Sequence, residues 1–349
     1  MTQRLLVVSP GSIVSERLSQ TLDAALQDIP FERKNALDTP LENERILFAV
    51  SLNESGVNHG YYDLLAFLRT HADCLKDCVG GILVDGPGNL YTKSVGRDLV
   101  LAASLAGCTF PGRPLVEATG DLKNFTVQAK NANCDLLGAY HLAAADLVNR
   151  VLTFESPRSI RPNILVLHAS SRSTSNPLAL WSRVRAELES RCDITEIGLR
   201  NGTLEDCAGC PYTTCLHFGE QGDCFYGGVM VQEVYPALRD ADAVILLCPN
   251  YNDALSANIT AAVNRLTALY RTTSFHDKAV FALIVSGYSG GDIVASQVVS
   301  ALNMNKGFWL PSRFCLMETA NDAGTAIRLP GIEERLREFS GRIREHLLA

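Results

Sequence analysis

The run Ala243-Val244-Ile245-Leu246-Leu247-Cys248 constrains the fold more than any other segment of the chain. It is apolar on both alternating faces, so as a strand it needs cover above and below, as in a parallel sheet between helix layers. Apolar runs recur at Asn163–His168 and Ala279–Ser286. Between them, residues three and four apart mark amphipathic helices, as with Leu180, Val184 and Leu188. This alternation from end to end predicts an α/β chain with two doubly wound parallel sheets.

In the first half, strands are expected at Leu5–Ser9, Arg45–Val50, Gly81–Asp85 and Pro114–Ala118. Helices are expected near Ile13–Leu26, Tyr61–Thr70 and Lys93–Ala106, with one long helix over Phe125–Leu152. In the second half, strands are expected at Asn163–His168, Asp193–Leu199, Ala243–Cys248, Ala279–Ser286 and Phe308–Leu316. Helices alternate with them at Pro177–Ser190, Val229–Arg239, Asn258–Tyr270, Ile293–Asn305 and Ile332–Leu348.

A length of 349 residues exceeds what one hydrophobic core usually supports. Two domains are expected, residues 1–154 and 163–349, with 155–162 as a linker marked by Pro157 and Pro162. The net charge of −7 argues against a nucleic-acid binder. No run reaches the roughly 18 apolar residues of a membrane helix. The short stretch Leu5-Leu6-Val7-Val8 reads as a first strand rather than a secretion signal, so a cytoplasmic setting is expected. In a reducing compartment, clustered cysteines among the 11 present read as metal ligands or redox thiols rather than disulfides.

The main chemical signal follows the first strand of the second half: His168-Ala169-Ser170-Ser171-Arg172-Ser173-Thr174-Ser175-Asn176-Pro177. A buried strand ends, a hydroxyl-rich loop follows and a helix starts, with Asn176 as its N-cap and Pro177 at the first helical position. Free backbone N–H groups and the positive end of the helix dipole then point at the loop. Hydroxyls of Ser170, Ser175 and Thr174, with Arg172 adding charge, suit a phosphate. Every α/β protein has capped helices after polar turns, so position decides: this loop lies at the sheet's expected switch point. It lacks the Gly-x-Gly-x-x-Gly and Gly-Lys-Ser/Thr spacings of dinucleotide and triphosphate loops, which favours a monophosphate such as that of FMN.

The segment Ala169–Asn176 resembles the phosphate loop of the NAD(P)H-dependent FMN reductase family, through Ser170, Arg172, Ser175 and Asn176. Ala169 stands where that family usually has Gly, and Pro177 where Thr is common. Two later loops agree with the resemblance. Pro249-Asn250-Tyr251-Asn252 resembles the family's segment along the isoalloxazine ring, with Cys248 replacing Ser, and Tyr251 offers an aromatic face. Ser286-Gly287-Tyr288 follows the fourth strand and permits close backbone approach. The resemblance implies a flavodoxin-like second domain holding FMN through these residues, with NAD(P)H as co-substrate and a homo-oligomeric state.

Cys207, Cys210, Cys215 and Cys224 fall within one short segment, three, five and nine positions apart in turn. Four such thiolates suit a [4Fe–4S] cluster better than the paired knuckles of a zinc site. The arrangement resembles the iron–sulfur flavoproteins, although the second and third intervals are wider here. Zinc and free redox thiols stay open for this segment. Small buried hydrophobes account for the other cysteines.

The first half carries Asp85-Gly86-Pro87-Gly88-Asn89-Leu90-Tyr91 after a strand, in a position comparable to Pro249–Tyr251. Its loops Ser9–Ser12 and Ser51–Ser55 are weaker phosphate sites, the second because Glu54 would repel one. It is expected to be a cofactor-poor flavodoxin-like or Rossmann-like domain. The function expected of the whole is an FMN-dependent oxidoreductase passing electrons from NAD(P)H to an unnamed acceptor. An electron-carrier module without NAD(P)H activity and a cofactor-free scaffold are the alternatives.

Overall fold

In the computed structural model, which describes residues 4–11, 15–170 and 174–349, the chain divides into two compact units, Met1–Glu155 and Ser156–Ala349. Among the described residues, no helix is long and apolar enough to cross a membrane.

The first unit holds β1 (Leu5–Val8), α1 (Glu16–Ala25), β2 (Phe31–Lys34), β3 (Leu41–Glu42), β4 (Arg45–Ser51) and α2 (His59–Thr70). These are followed by β5 (Leu75–Lys76), β6 (Val79–Asp85), α3 (Thr92–Leu105), β7 (Leu115–Ala118), α4 (Thr126–Ala132) and α5 (Leu136–Thr153). Five parallel strands form one sheet in the order β2-β1-β4-β6-β7, and β3 pairs with β5 beside it. Leu5, Val7, Leu47, Ala49 and Leu83 face a core completed by Leu18 and Leu22 of α1 and by Tyr140, Leu147 and Val151 of α5.

The second unit holds β8 (Asn163–His168), α6 (Asn176–Leu188), β9 (Asp193–Gly198), α7 (Tyr212–Glu220), α8 (Tyr235–Asp240) and β10 (Ala243–Pro249). Then come α9 (Ala257–Leu269), β11 (Ala279–Ser286), α10 (Gly291–Val298), β12 (Cys315–Thr319) and α11 (Ile332–Leu347). The sheet order is β12-β11-β10-β8-β9, again fully parallel. Ala243 pairs with Ile164 on one side and Ala279 on the other. Both faces are covered, which is why β10 and β11 are buried along their whole length. Numbered within each unit, both sheets run 2-1-3-4-5, the order of flavodoxin-type doubly wound folds.

Four departures from the sequence expectations have local causes. The edge strand β2, Phe-Glu-Arg-Lys, carries no apolar run because one side of it meets water. With β2 counted, Asp85–Tyr91 follows the fourth strand, so its counterpart is Ser286–Tyr288 and not Pro249–Tyr251. The long helix over Phe125–Leu152 is two helices, since Asn133 turns left-handed at φ 51° and Asp135 caps the second by accepting the Gly138 N–H. The last strand starts at Cys315 rather than Phe308: Pro311 has no N–H to give a ladder and Arg313 sits at φ 50°, so Trp309 makes no more than an isolated bridge to Ala279 before it.

Candidate functional site

The carboxyl ends of β8, β10, β11 and β12 open into a cavity of about 710 Å³, within the range of small-molecule sites. The switch point lies here: the chain leaves β8 toward β9 on one side and β10 on the other. Ala169, Ser170, Thr174, Ser175, Asn176 and Pro177 form one wall. Ser175 is the N-cap of α6, one position before the expected Asn176, and Pro177 takes the second helical position. The helix still offers its first N–H groups to the cavity, and the Ser170 and Ser175 hydroxyls lie 2.9 Å apart beside them. Arg172 lies outside the described residues.

Asn176 has a second task. Its side-chain amide donates to the carbonyls of Ala320 at 3.1 Å and Asp322 at 3.0 Å, and its Oδ1 accepts the Ala326 N–H. The loop after β12 is thereby fastened to the start of α6. That loop contributes Ala320, Asn321 and Ala323 to the cavity.

The opposite wall is Pro249, Asn250 and Tyr251 after β10, with Ser256, Ala257 and Asn258 at the start of α9. Asn250 Nδ2 donates to Ser286 Oγ at 3.1 Å and to the Ser289 carbonyl at 3.0 Å, locking the β10 and β11 loops together. Gly290, at φ 84°, closes the second loop where a Cβ would strike the Asp253 carboxylate. Asn250 Oδ1 and Ser256 Oγ are buried without partners, and both residues border the cavity. Buried oxygens of this kind normally have a donor, so a ligand bearing N–H or O–H groups suits this wall. Tyr251 is 61 % exposed at the rim.

Ser170, Ser175, Asn176, Pro249, Asn250, Tyr251 and Gly287 therefore border one space. Asn252, Ser286 and Tyr288 do not: Asn252 turns left-handed and exposed, Ser286 is buried under Asn250, and Tyr288 is 80 % exposed. Sequence reasoning missed Asn201, Asn258 and the Ala320–Ala323 loop. Their signal is position alone, each lying just beyond a strand's carboxyl end or at the helix start that follows. His168, which ends β8, is 8 % exposed with Nδ1 unpartnered and Nε2 3.5 Å from Glu196 Oε1, and burial pulls its pKa down.

A second cavity, of about 300 Å³, lies in the cysteine segment. Cys207, Cys210, Cys215 and Cys224 all border it, with Tyr212, Phe218, Phe225 and Tyr226 and with Asn264, Arg265, Ala268 and Arg271 around the rest. Although all four border this space, among the described residues no group of three or more His, Cys, Asp or Glu side chains is placed to hold a metal ion. The short helix α7, which the sequence reading did not foresee, carries Cys215. Helix α9 joins the two cavities, with Ala257 and Asn258 at the first and Asn264, Arg265 and Ala268 at the second.

The corresponding edge of the first unit is built differently. There Asp85, at the end of β6, accepts Arg17 Nε at 2.8 Å and Nη2 at 3.1 Å, and also the Ser15 hydroxyl. Arg17 further donates to the carbonyls of Gly86 and Gly120, at 3.0 Å each.

Residues 162–322 match the profile of the NADPH-dependent FMN reductase family. No curated protein matches the chain. Solved structures similar to it include RosB with a bound 8-demethyl-8-formylriboflavin-5'-phosphate intermediate (14 % identity, TM-score 0.42, covering 52 % of this chain and 79 % of that one). An NAD(P)H:quinone oxidoreductase from Methanothermobacter marburgensis is 16 % identical, with TM-score 0.40 and coverage of 54 % and 100 %. An NADH:FMN oxidoreductase in its apo form is 14 % identical, with TM-score 0.38 and coverage of 54 % and 91 %.

Proposed function

We propose that this chain is an FMN-dependent oxidoreductase that takes electrons from NAD(P)H and hands them to a second acceptor, a reading supported by the match of residues 162–322 to the profile of the NADPH-dependent FMN reductase family. The observation that carries the reading is the cavity of about 710 Å³ at the switch point, walled by a helix N-terminus on one side and two unpartnered buried oxygens on the other.

Its residues fit FMN end to end. The α6 amides and the Ser170 and Ser175 hydroxyls would hold the phosphate, where a dianion meets the positive end of the dipole. Asn250 Oδ1 and Ser256 Oγ would accept from the ring or ribityl donors. The N-terminus of α9 is a second positive dipole end on the same cavity and favours negative charge arriving with electrons. Tyr251 supplies an aromatic wall. When bound, FMN supplies hydride acceptance and electron release; the chain's part is position and electrostatics.

The same reading extends to the cysteine cavity, where Cys207, Cys210, Cys215 and Cys224 would ligate a [4Fe–4S] cluster. In support, all four cysteines border one space, and no carboxylate borders it among the described residues. From Ala257 to Asn264, the rise along α9 is about 10 Å. A cluster there would exchange single electrons.

The setting proposed is a cytoplasmic homo-oligomer. None of the eleven cysteines is in a disulfide, which accords with a reducing compartment, and Tyr251 and Tyr288 stand exposed beside the proposed flavin cavity for a second copy to cover. The first unit is proposed as cofactor-poor, since the Asp85 carboxylate already sits at the α1 N-terminus where a phosphate would go. The test is anaerobic purification with an absorption spectrum, iron and zinc analysis, identification of released flavin, and steady-state NADPH oxidation without added protein. A colourless chain that takes up no FMN overturns the proposal, and bound FMN without NADPH oxidation reduces it to an electron carrier.

A further inference from the structure

We propose that Arg265 is the counter-charge of an anionic, thiolate-bound group in the cysteine cavity, and that its guanidinium sets that group's reduction potential. The inference rests on the cluster reading above and deepens it.

Arg265 projects from α9 and is 2 % exposed, one of the largest fully buried side chains in the molecule. It borders the cysteine cavity. Its Nη2 donates to the Gly227 carbonyl at 2.7 Å, its Nε is buried with no partner, and it forms no ion pair among the described residues. The other buried cation of this unit is treated otherwise: the Lys278 ammonium donates to the carbonyls of Arg239 and Ala241 and stands 3.7 Å from Asp277. Taking a full positive charge out of water without a partner is costly, so a buried guanidinium implies an anion beside it.

The protein's own anions do not fill that role. The nearby Asp206 carboxylate accepts the Cys207 N–H at 2.7 Å and Asn264 Nδ2 at 2.9 Å, and the Asp223 carboxylate accepts the Cys224 N–H at 2.5 Å. Neither borders the cavity. Both cations of the wall, Arg265 and Arg271, therefore border the same cavity as the four cysteines, with Arg271 also held over the Tyr212 ring at 4.8 Å. Four thiolates around an iron–sulfur core carry net negative charge in both oxidation states, which supplies the missing partner. Of the two cations, Arg265 is the one with no water to screen it, and its free Nε–H is a donor for a ligand sulfur. Net charge and hydrogen bonds to sulfur are the terms that set a cluster's potential, and a fixed positive charge favours the reduced form.

The experiment is anaerobic reconstitution of the full chain with iron and sulfide, then a dithionite titration followed by paramagnetic resonance. Wild type, Arg265→Gln and Arg265→Lys are compared, with FMN content as the control on folding. The Gln variant is expected to keep FMN and to show a reduction equilibrium at least tenfold less favourable, a fall of about 59 mV for one electron. The Lys variant, which keeps the charge, should stay close to wild type. An unchanged potential in the Gln variant overturns the role of Arg265 while leaving the cluster in place. Equal loss of cluster and FMN in both variants also overturns it, by showing a purely structural role. Wild type that takes up no iron overturns the cluster itself, and Arg265 with it.

Discussion

Asn176 and Ala326, 150 residues apart in sequence, are joined by a hydrogen bond of 3.1 Å from the Ala326 N–H to Asn176 Oδ1. With its two donations to Ala320 and Asp322, the Asn176 side chain makes three bonds to one loop. Asn176→Ala strands those groups and is expected to cost about 2–3 kcal/mol. It should weaken FMN binding roughly tenfold, because the loop it releases is a wall of the cavity. Thermal unfolding and fluorescence titration with FMN check the two effects separately. A stability loss with unchanged affinity would show that the loop holds itself.

Arg17 and Asp85 form the buried ion pair of the first unit, with side chains 23 % and 4 % exposed. Asp85→Asn keeps the shape and removes the charge, leaving the guanidinium uncompensated at a cost of about 2–3 kcal/mol. Replacing both residues, as Arg17→Met with Asp85→Leu, should recover part of it. Denaturation monitored on the first unit reads the loss, and FMN content should not move.

Cys210→Ser is expected to abolish iron–sulfur absorption and leave the flavin spectrum and FMN stoichiometry at wild-type values, because Cys210 borders the second cavity and not the first. Iron analysis beside the spectrum distinguishes a lost cluster from one that was never assembled.

Stability of the second unit should fall in mild acid through His346. Burial among Phe281, Trp309 and the end of α11 pulls its pKa from 6.5 to about 4, and Arg158 and Arg342 push the same way. Between pH 6.5 and 4 the unfolded chain binds the extra proton, so stability rises with pH across that window and its full contribution is present above it. At about 1.4 kcal/mol per pH unit the contribution is on the order of 3 kcal/mol. Urea unfolding at a series of pH values should show the slope in wild type and a flatter limb in His346→Gln.

Much of this was legible in the residues. Strands Asn163–His168 and Ala279–Ser286 fall where their apolar runs place them, because a strand buried on both faces has no room for polar residues. The loop after β8 was legible by its position at the switch point, and Ser170, Ser175 and Pro177 border the cavity there. What stayed hidden was long-range or edge-bound. Glu32, Arg33 and Lys34 give no apolar signal, because an edge strand is held by backbone pairing to β1 alone. The bonds from Asn176 to Ala320, Asp322 and Ala326 join segments that nothing local connects. The buried charge of Arg265 was invisible too, since an Arg in an amphipathic helix normally reads as a solvated residue.

Two sheets of identical strand order differ in what stands at one edge: backbone amides and hydroxyls in the second, a carboxylate clasped by a guanidinium in the first. Topology alone would count two nucleotide berths on this chain, whereas the charges favour an anion at the second unit's edge alone. On the proposed reading, the expected stoichiometry is near one flavin per polypeptide, and the Arg17–Asp85 pair is the first thing to exchange in installing a second.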